Sequence, residues 1–113
     1  IWAVIGANNN RSKYGNIIFR KLVSKGYKVY PVNPLCEEVE GNKCYKNLSS
    51  LPEIPEVVNM VVSPEKGIEF IEEAWSLGIK NIWLQPGTYD KKLVERGNQL
   101  GLNLYMSCVL VEI

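Results

Sequence analysis

The sequence predicts an α/β chain in which a parallel sheet carries helices on both faces. Short apolar runs rich in Val, Ile, Leu and aromatics alternate with amphipathic helical patterns along the chain. Those runs are near-continuous in hydrophobicity, as strands buried on both faces are. A length of 113 residues with 46% hydrophobic and 22% charged residues fits one globular domain, expected over residues 1–113.

Trp2–Ile5 reads as the first strand. A loop of Gly, Asn and Ser follows, Gly6 to Gly15, and leads into a helix over about Lys13–Lys25. Tyr14, Ile17, Ile18 and Leu22 form its inward stripe, and Gly26 stops it. Lys28–Val32 is the second strand. Leu35–Pro55 is irregular, with Lys43-Cys44-Tyr45 as a very short edge strand and Leu48–Leu51 as a helical turn. Val57–Val62 is the next long strand. Ser63 as N-cap and Pro64 at the first helical position open a helix that Gly78 ends after Leu77, with Ile68, Ile71 and Trp75 inward. Asn81–Leu84 is a strand. Tyr89–Leu100 is the weakest helix because of Gly97 and Asn98; Thr88 is its expected cap, Leu93, Val94 and Leu100 its inward face, and Gly101 its end. Asn103–Met106 closes the sheet. Alternation of this kind implies a Rossmann-like three-layer domain with five to six parallel strands, order 3-2-1-4-5-6 when the short edge strand is counted.

Composition narrows the function classes. With 13 basic and 12 acidic residues the net charge is +1, no footprint for nucleic acid or a membrane surface. No apolar run approaches the roughly 20 residues of a membrane span. Ile1 enters a core strand and not a basic leader, so no signal peptide is expected, and a start at Ile leads to the expectation that at least an initiator Met is missing. Cys36, Cys44 and Cys108 are an odd set without CxxC spacing and read as thiols of a reducing cytoplasm. The chain has no His, which disfavours a zinc site and removes the commonest general base and any phosphohistidine.

Ligands of such sheets bind beyond the C-terminal strand ends, near the point where the strand order reverses. In the first loop Gly6, Ala7 and Asn8 present backbone N–H groups beside the positive end of a helix, a phosphate-binding arrangement. Asn8, Asn9 and Asn10 tolerate the left-handed backbone of an anion-binding nest. Ser12 is placed to cap the helix, and Arg11 or Lys13 to reach a phosphate; alternatively both cations are solvated and Gly6 serves only a tight turn. The GxGxxG dinucleotide pattern is absent, since Gly6 and Gly15 lie nine positions apart. Strand two ends in Val32-Asn33-Pro34 where an NAD site has an acidic residue, which disfavours NAD without excluding it. Ser63-Pro64 is an ordinary helix start or an apolar contact for a ligand. Gln85-Pro86-Gly87 offers side-chain donors and an acceptor and close backbone approach, or is a plain loop. Asp90 and Glu65 sit at helix starts, where carboxylates complement the dipole. Cys108 reads as buried.

Taken together, VIGAN (residues 4–8), RSKYGN (11–16), YPVNP (30–34), EEVEGNKCYKNL (37–48), VSPE (62–65), WLQPG (83–87) and YMSCVLVE (105–112) resemble the small stand-alone CoA-binding domain proteins. These are similar to the N-terminal domain of the succinyl-CoA synthetase α subunit. The resemblance implies coenzyme A or acyl-CoA as the small-molecule partner, with its phosphates near Gly6, Ala7 and Asn8 and beside Arg11, Ser12 and Lys13. It puts the adenosine near Val32, Asn33 and Pro34, and pantetheine near Ser63, Pro64, Gln85 and Gly87. Related domains often carry a basic residue just after the Asn-Pro pair; here Leu35 and Cys36 stand there, and Lys43 is a possible substitute. Binding without catalysis is the reading that follows. The alternatives are an NAD(P)- or nucleotide-binding regulatory module, or a subunit of an acyl-CoA synthetase whose phosphoryl step needs a His from elsewhere. A mixed disulfide between Cys36 or Cys108 and the CoA thiol is a further, less favoured possibility.

Overall fold

The computed structural model describes residues 1–112. Five parallel strands form one sheet: β1 (Trp2–Ile5), β2 (Val29–Val32), β5 (Val57–Met60), β6 (Asn81–Leu84) and β7 (Asn103–Tyr105), in the spatial order β2-β1-β5-β6-β7. The expected order therefore holds without its outermost strand. In place of that strand, β3 (Glu38–Val39) and β4 (Asn42–Lys43) form a small antiparallel hairpin. Only Tyr45 reaches the main sheet, as a single parallel bridge to Val32. The reason lies in Glu40-Gly41: both have positive φ, 49° and 79°, the geometry of a tight two-residue hairpin turn. That turn folds Lys43 back on Glu38, so Lys43-Cys44-Tyr45 does not run along β2.

Pleating divides the strand side chains between two cores. Ala3, Ile5, Val58, Met60, Ile82 and Leu84 face α2 (Pro64–Ser76) and α3 (Lys91–Gln99). Trp2 and Val4 face α1 (Tyr14–Ser24) and the short α4 (Val109–Glu112), with Trp83 packed against the same cluster. All three long helices end alike. In α1 the Gly26 N–H reaches the Val23 carbonyl at 3.0 Å and the Tyr27 N–H reaches Leu22 at 3.2 Å, and Gly78 and Gly101 repeat the pattern. This is why the expected ends fall within a residue or two of the observed ones.

Several local expectations are corrected. Lys13, not Ser12, occupies the N-cap of α1, and the Ser12 hydroxyl donates to Asn10 Oδ1 at 2.6 Å. Asp90, not Thr88, caps α3, accepting the Leu93 N–H at 2.8 Å; the Thr88 hydroxyl donates to the Gln85 carbonyl. Ser63 holds the N-cap of α2 without a side-chain bond. Tyr14 and Trp75 are exposed, and Phe19 and Ala74 take the inward places. Cys108 is half-buried, and it leads into α4, which the sequence reading did not anticipate.

Two expected outcomes follow. A Cβ on Gly15 would lie 2.2 Å from the Gly6 carbonyl oxygen, a clash between backbone segments that no rotamer relieves. Gly15→Ala should cost about 3 kcal/mol and lower Tm by roughly 10 °C or more, whereas Gly26→Ala, with open space around it, should cost about 1 kcal/mol. Thermal melts of the two variants check this. Burial, reinforced by the neighbouring Cys36 thiol, pushes Cys44 up to about 11. A raised thiol value means less thiolate at pH 8, so folded protein should alkylate at Cys44 far more slowly than at Cys36 or Cys108, with the rate climbing toward pH 11. Equal labelling of all three by mass spectrometry at pH 8 would contradict it.

Candidate functional site

β1 has β2 on one side and β5 on the other, so the strand order reverses between β1 and β5. The C-terminal ends of these two strands meet at Gly6. Its φ of +98° turns the chain, and a Cβ there would press on the Val61 carbonyl and the Val62 side chain at 3.1–3.2 Å. Two clefts open on either side of this contact. One, of about 680 Å³, is lined by Gly6, Val32, Asn33, Pro34 and Leu35 on one wall and by Lys66 and Phe70 of α2 on the other. The second, of about 440 Å³, is lined by Ser63, Gln85, Gly87 and Cys108, with Tyr14 at its border. Val61 and Val62 line both clefts, so together they cross the strand ends at the reversal point.

The structure thus brings Gly6, Val32, Asn33, Pro34, Ser63, Gln85 and Gly87 to cleft walls. Ala7, Asn8, Arg11, Ser12, Lys13 and Pro64 lie outside both linings: Ala7 is buried, and Asn8 to Lys13 form the loop at the clefts' edge.

That loop is held by its own polar side chains. Asn8 Nδ2 donates to the Gly6 carbonyl at 3.1 Å, and Asn8 Oδ1 accepts the Asn10 N–H at 2.9 Å. Asn10 Oδ1 accepts the Ser12 N–H at 3.1 Å. Asn16, wholly buried, donates to the Asn8 carbonyl at 2.7 Å and to Glu40 at 3.0 Å. The β3–β4 hairpin latches on from outside: Asn9 bonds the Glu38 carbonyl and the Glu40 N–H, at 2.6 and 3.0 Å. Arg11 pairs with Glu40 at 3.3 Å. The asparagines and Arg11 therefore build the loop, and the N–H groups of Ala7 and Asn8 meet no protein acceptor among the described residues. Asn33 ties strand two to the same loop, donating to the Ala7 carbonyl at 2.9 Å and accepting the Leu35 N–H at 2.9 Å.

Gln85 is buried, and its amide is spent inside the fold. Its Nε2 donates to Asn59 Oδ1 at 2.6 Å, and its Oε1 accepts the Val109 N–H at 3.1 Å, anchoring the start of α4. The second cleft therefore sees the polar turn around Gln85 more than a mobile amide. Lys43 lies over the Tyr45 ring, 5.2 Å from its centre, on the exposed hairpin. The cations that do line the first cleft, Lys46 and Lys66, were not singled out from sequence. Lys66 is legible as a first-turn residue of α2, but nothing local marks Lys46.

None of the helices among the described residues is long and apolar enough to cross a membrane.

A family model for the CoA binding domain matches residues 1–113. The α subunit of an ADP-forming acetate–CoA ligase II from Pyrococcus furiosus is 31% identical over 113 residues, covering 90% of this chain and 25% of the ligase subunit. A conserved hypothetical protein from the same organism superposes with a TM-score of 0.93 at 39% identity, covering 99% of this chain and 97% of that one. The apo dinucleotide-forming acetyl-coenzyme A synthetase 1 of Ca. Korarchaeum cryptofilum superposes with a TM-score of 0.76 at 32% identity, covering 91% of this chain and 25% of the synthetase. The chain spans about a quarter of the length of these ligase relatives. With the whole chain matched, its Rossmann-like sheet in place and its strand-end clefts formed, the protein belongs to the CoA-binding domain family.

Proposed function

We propose that this chain binds coenzyme A or an acyl-CoA along the C-terminal ends of its strands and carries out no chemistry on its own. The observation that carries this reading is the pair of clefts that share Val61 and Val62 across the order reversal. Two clefts that share a wall across the strand ends suit an extended ligand. The diphosphate lies over the first loop, where the N–H groups of Ala7 and Asn8 and the start of α1 favour negative charge. Adenosine takes the cleft beside Asn33 and Pro34, and pantetheine runs past Val61 and Val62 into the cleft lined by Ser63, Gln85 and Gly87. Arg11 acts through Glu40 to hold the loop in shape, and Lys13 supplies long-range attraction.

The absence of His from the sequence, and of any evident acid–base constellation among the described residues, supports binding without catalysis. Likeness to a quarter of a ligase α subunit supports a second reading, in which the chain presents CoA to a separate catalytic subunit. Co-purification of such a subunit with the tagged chain would favour it.

Isothermal titration of ligand-stripped protein tests the proposal. Coenzyme A should bind with a dissociation constant in roughly the micromolar range, and NAD and ATP at least about tenfold more weakly. Preferential binding of NAD or ATP would overturn the choice of ligand. Absence of binding by all three in folded protein would overturn the binding function.

A further inference from the structure

Resting on the coenzyme A reading, we infer that Lys46 and Lys66 together form the subsite that recognises the ligand's 3′-phosphomonoester. The two positions directly after Asn33-Pro34, Leu35 and Cys36, carry no charge.

The first cleft is where an adenosine ribose would lie, and its wall at the end of β2 offers no charge: Asn33 is spent on Ala7 and Leu35, and Leu35 is 86% exposed and apolar. Charge enters from two other segments, α2 and the stretch that follows Tyr45. Lys66 stands in the first turn of α2, where the helix dipole adds to its own positive field. Lys46 comes from the segment after Tyr45, whose bridge to Val32 fixes it beside β2.

The placement of Lys46 is not left to a loose loop. Behind it, Asn47 caps the 3-10 turn Leu48–Ser50. Glu73 of α2 grips that turn, accepting the Leu48 N–H at 2.9 Å and, from Ser49, the N–H at 3.2 Å and the hydroxyl at 2.7 Å. Lys66 and Glu73 are seven residues apart, about two helical turns, so one face of α2 supplies a cation at one end and the clamp for Lys46 at the other.

Neither ammonium group stands in an ion pair among the described residues. Glu73 spends both carboxylate oxygens on the uncharged donors of the 3-10 turn, which fixes its position but not its charge, so Glu69 and Glu73 are the opposing charges of the wall. Two long, exposed ammonium stems across an open cleft suit a dianionic phosphomonoester, which accepts from both at once. Lys43, by contrast, is held over Tyr45 on the far hairpin.

Calorimetric titration of coenzyme A and dephospho-coenzyme A against four proteins tests this: the parent chain, Lys46→Gln/Lys66→Gln, Lys43→Gln, and the parent at raised salt. All substitutions are on exposed side chains, and circular dichroism verifies the fold. The parent should bind coenzyme A about tenfold tighter than the dephospho form, and the preference should shrink with salt. The double variant should lose that preference while its affinity for dephospho-coenzyme A stays within about twofold, and Lys43→Gln should change neither. If the parent binds both ligands equally, or if the preference survives in the double variant or collapses in Lys43→Gln, the subsite assignment is overturned and the coenzyme A reading stands. If the parent binds neither ligand, the coenzyme A reading itself fails.

Discussion

The approach of α1 to the end of β1 is the constraint on which the site depends. At Gly15 the helix backbone comes so near the Gly6 carbonyl that a side chain would sit 2.2 Å from its oxygen. Gly6 in turn adopts a positive φ and lies against Val61 and Val62. Two glycines therefore set the helix, the first strand and the fifth at one point. Helix α1 starts close enough for its dipole to act over the loop, and the clefts open on either side of the contact. The spacing of these glycines hides a familiar division of labour: one makes the turn, and the other permits close helix–strand packing.

Around this point the polar residues take up two tasks. Asn8, Asn10, Asn16 and Glu40 spend their side chains on holding the loop, while the backbone N–H groups of Ala7 and Asn8 have no protein acceptor among the described residues. Preorganised N–H groups suit a diphosphate, because they are fixed before the ligand arrives and little ordering remains to be done on binding. Specificity is then left to the cleft walls. The β3–β4 hairpin braces this loop from outside, and Arg11 is paired there with Glu40.

Much of the frame was legible in the residues themselves. The strands are buried on both faces and so read as continuous apolar runs, and the three long helices are closed by Gly26, Gly78 and Gly101 in one repeated backbone motif. What escaped was set by partners distant in sequence. The latch of Glu40 onto Asn9 and Arg11 joins residues about thirty positions apart, and no local pattern announces it. Glu40-Gly41 did carry a turn signal, two residues between Val39 and Asn42, but β3 and β4 are too short and polar to register as strands. The bonding of the Gln85 amide to Asn59 and to the start of α4 joins residues 26 and 24 positions apart, a tertiary event that no local pattern announces. Lys46 is held at the cleft by the Tyr45 bridge to Val32 before it and the clamp of Glu73 on the turn after it.

The central claim is that one ligand lies across the strand ends, from the β2 side to the β6 side, over Gly6. The most direct measurement is the amide chemical-shift map of ¹⁵N-labelled protein during titration with coenzyme A. Shifts are expected only at Gly6–Lys13, Asn33–Leu35, Lys46, Val61–Lys66 and Gln85–Thr88, all moving along one binding curve. Shifts at the N-terminal ends of the strands, around Lys28, Lys80 and Gly101, or segments saturating at different concentrations, would contradict a single ligand spanning both clefts.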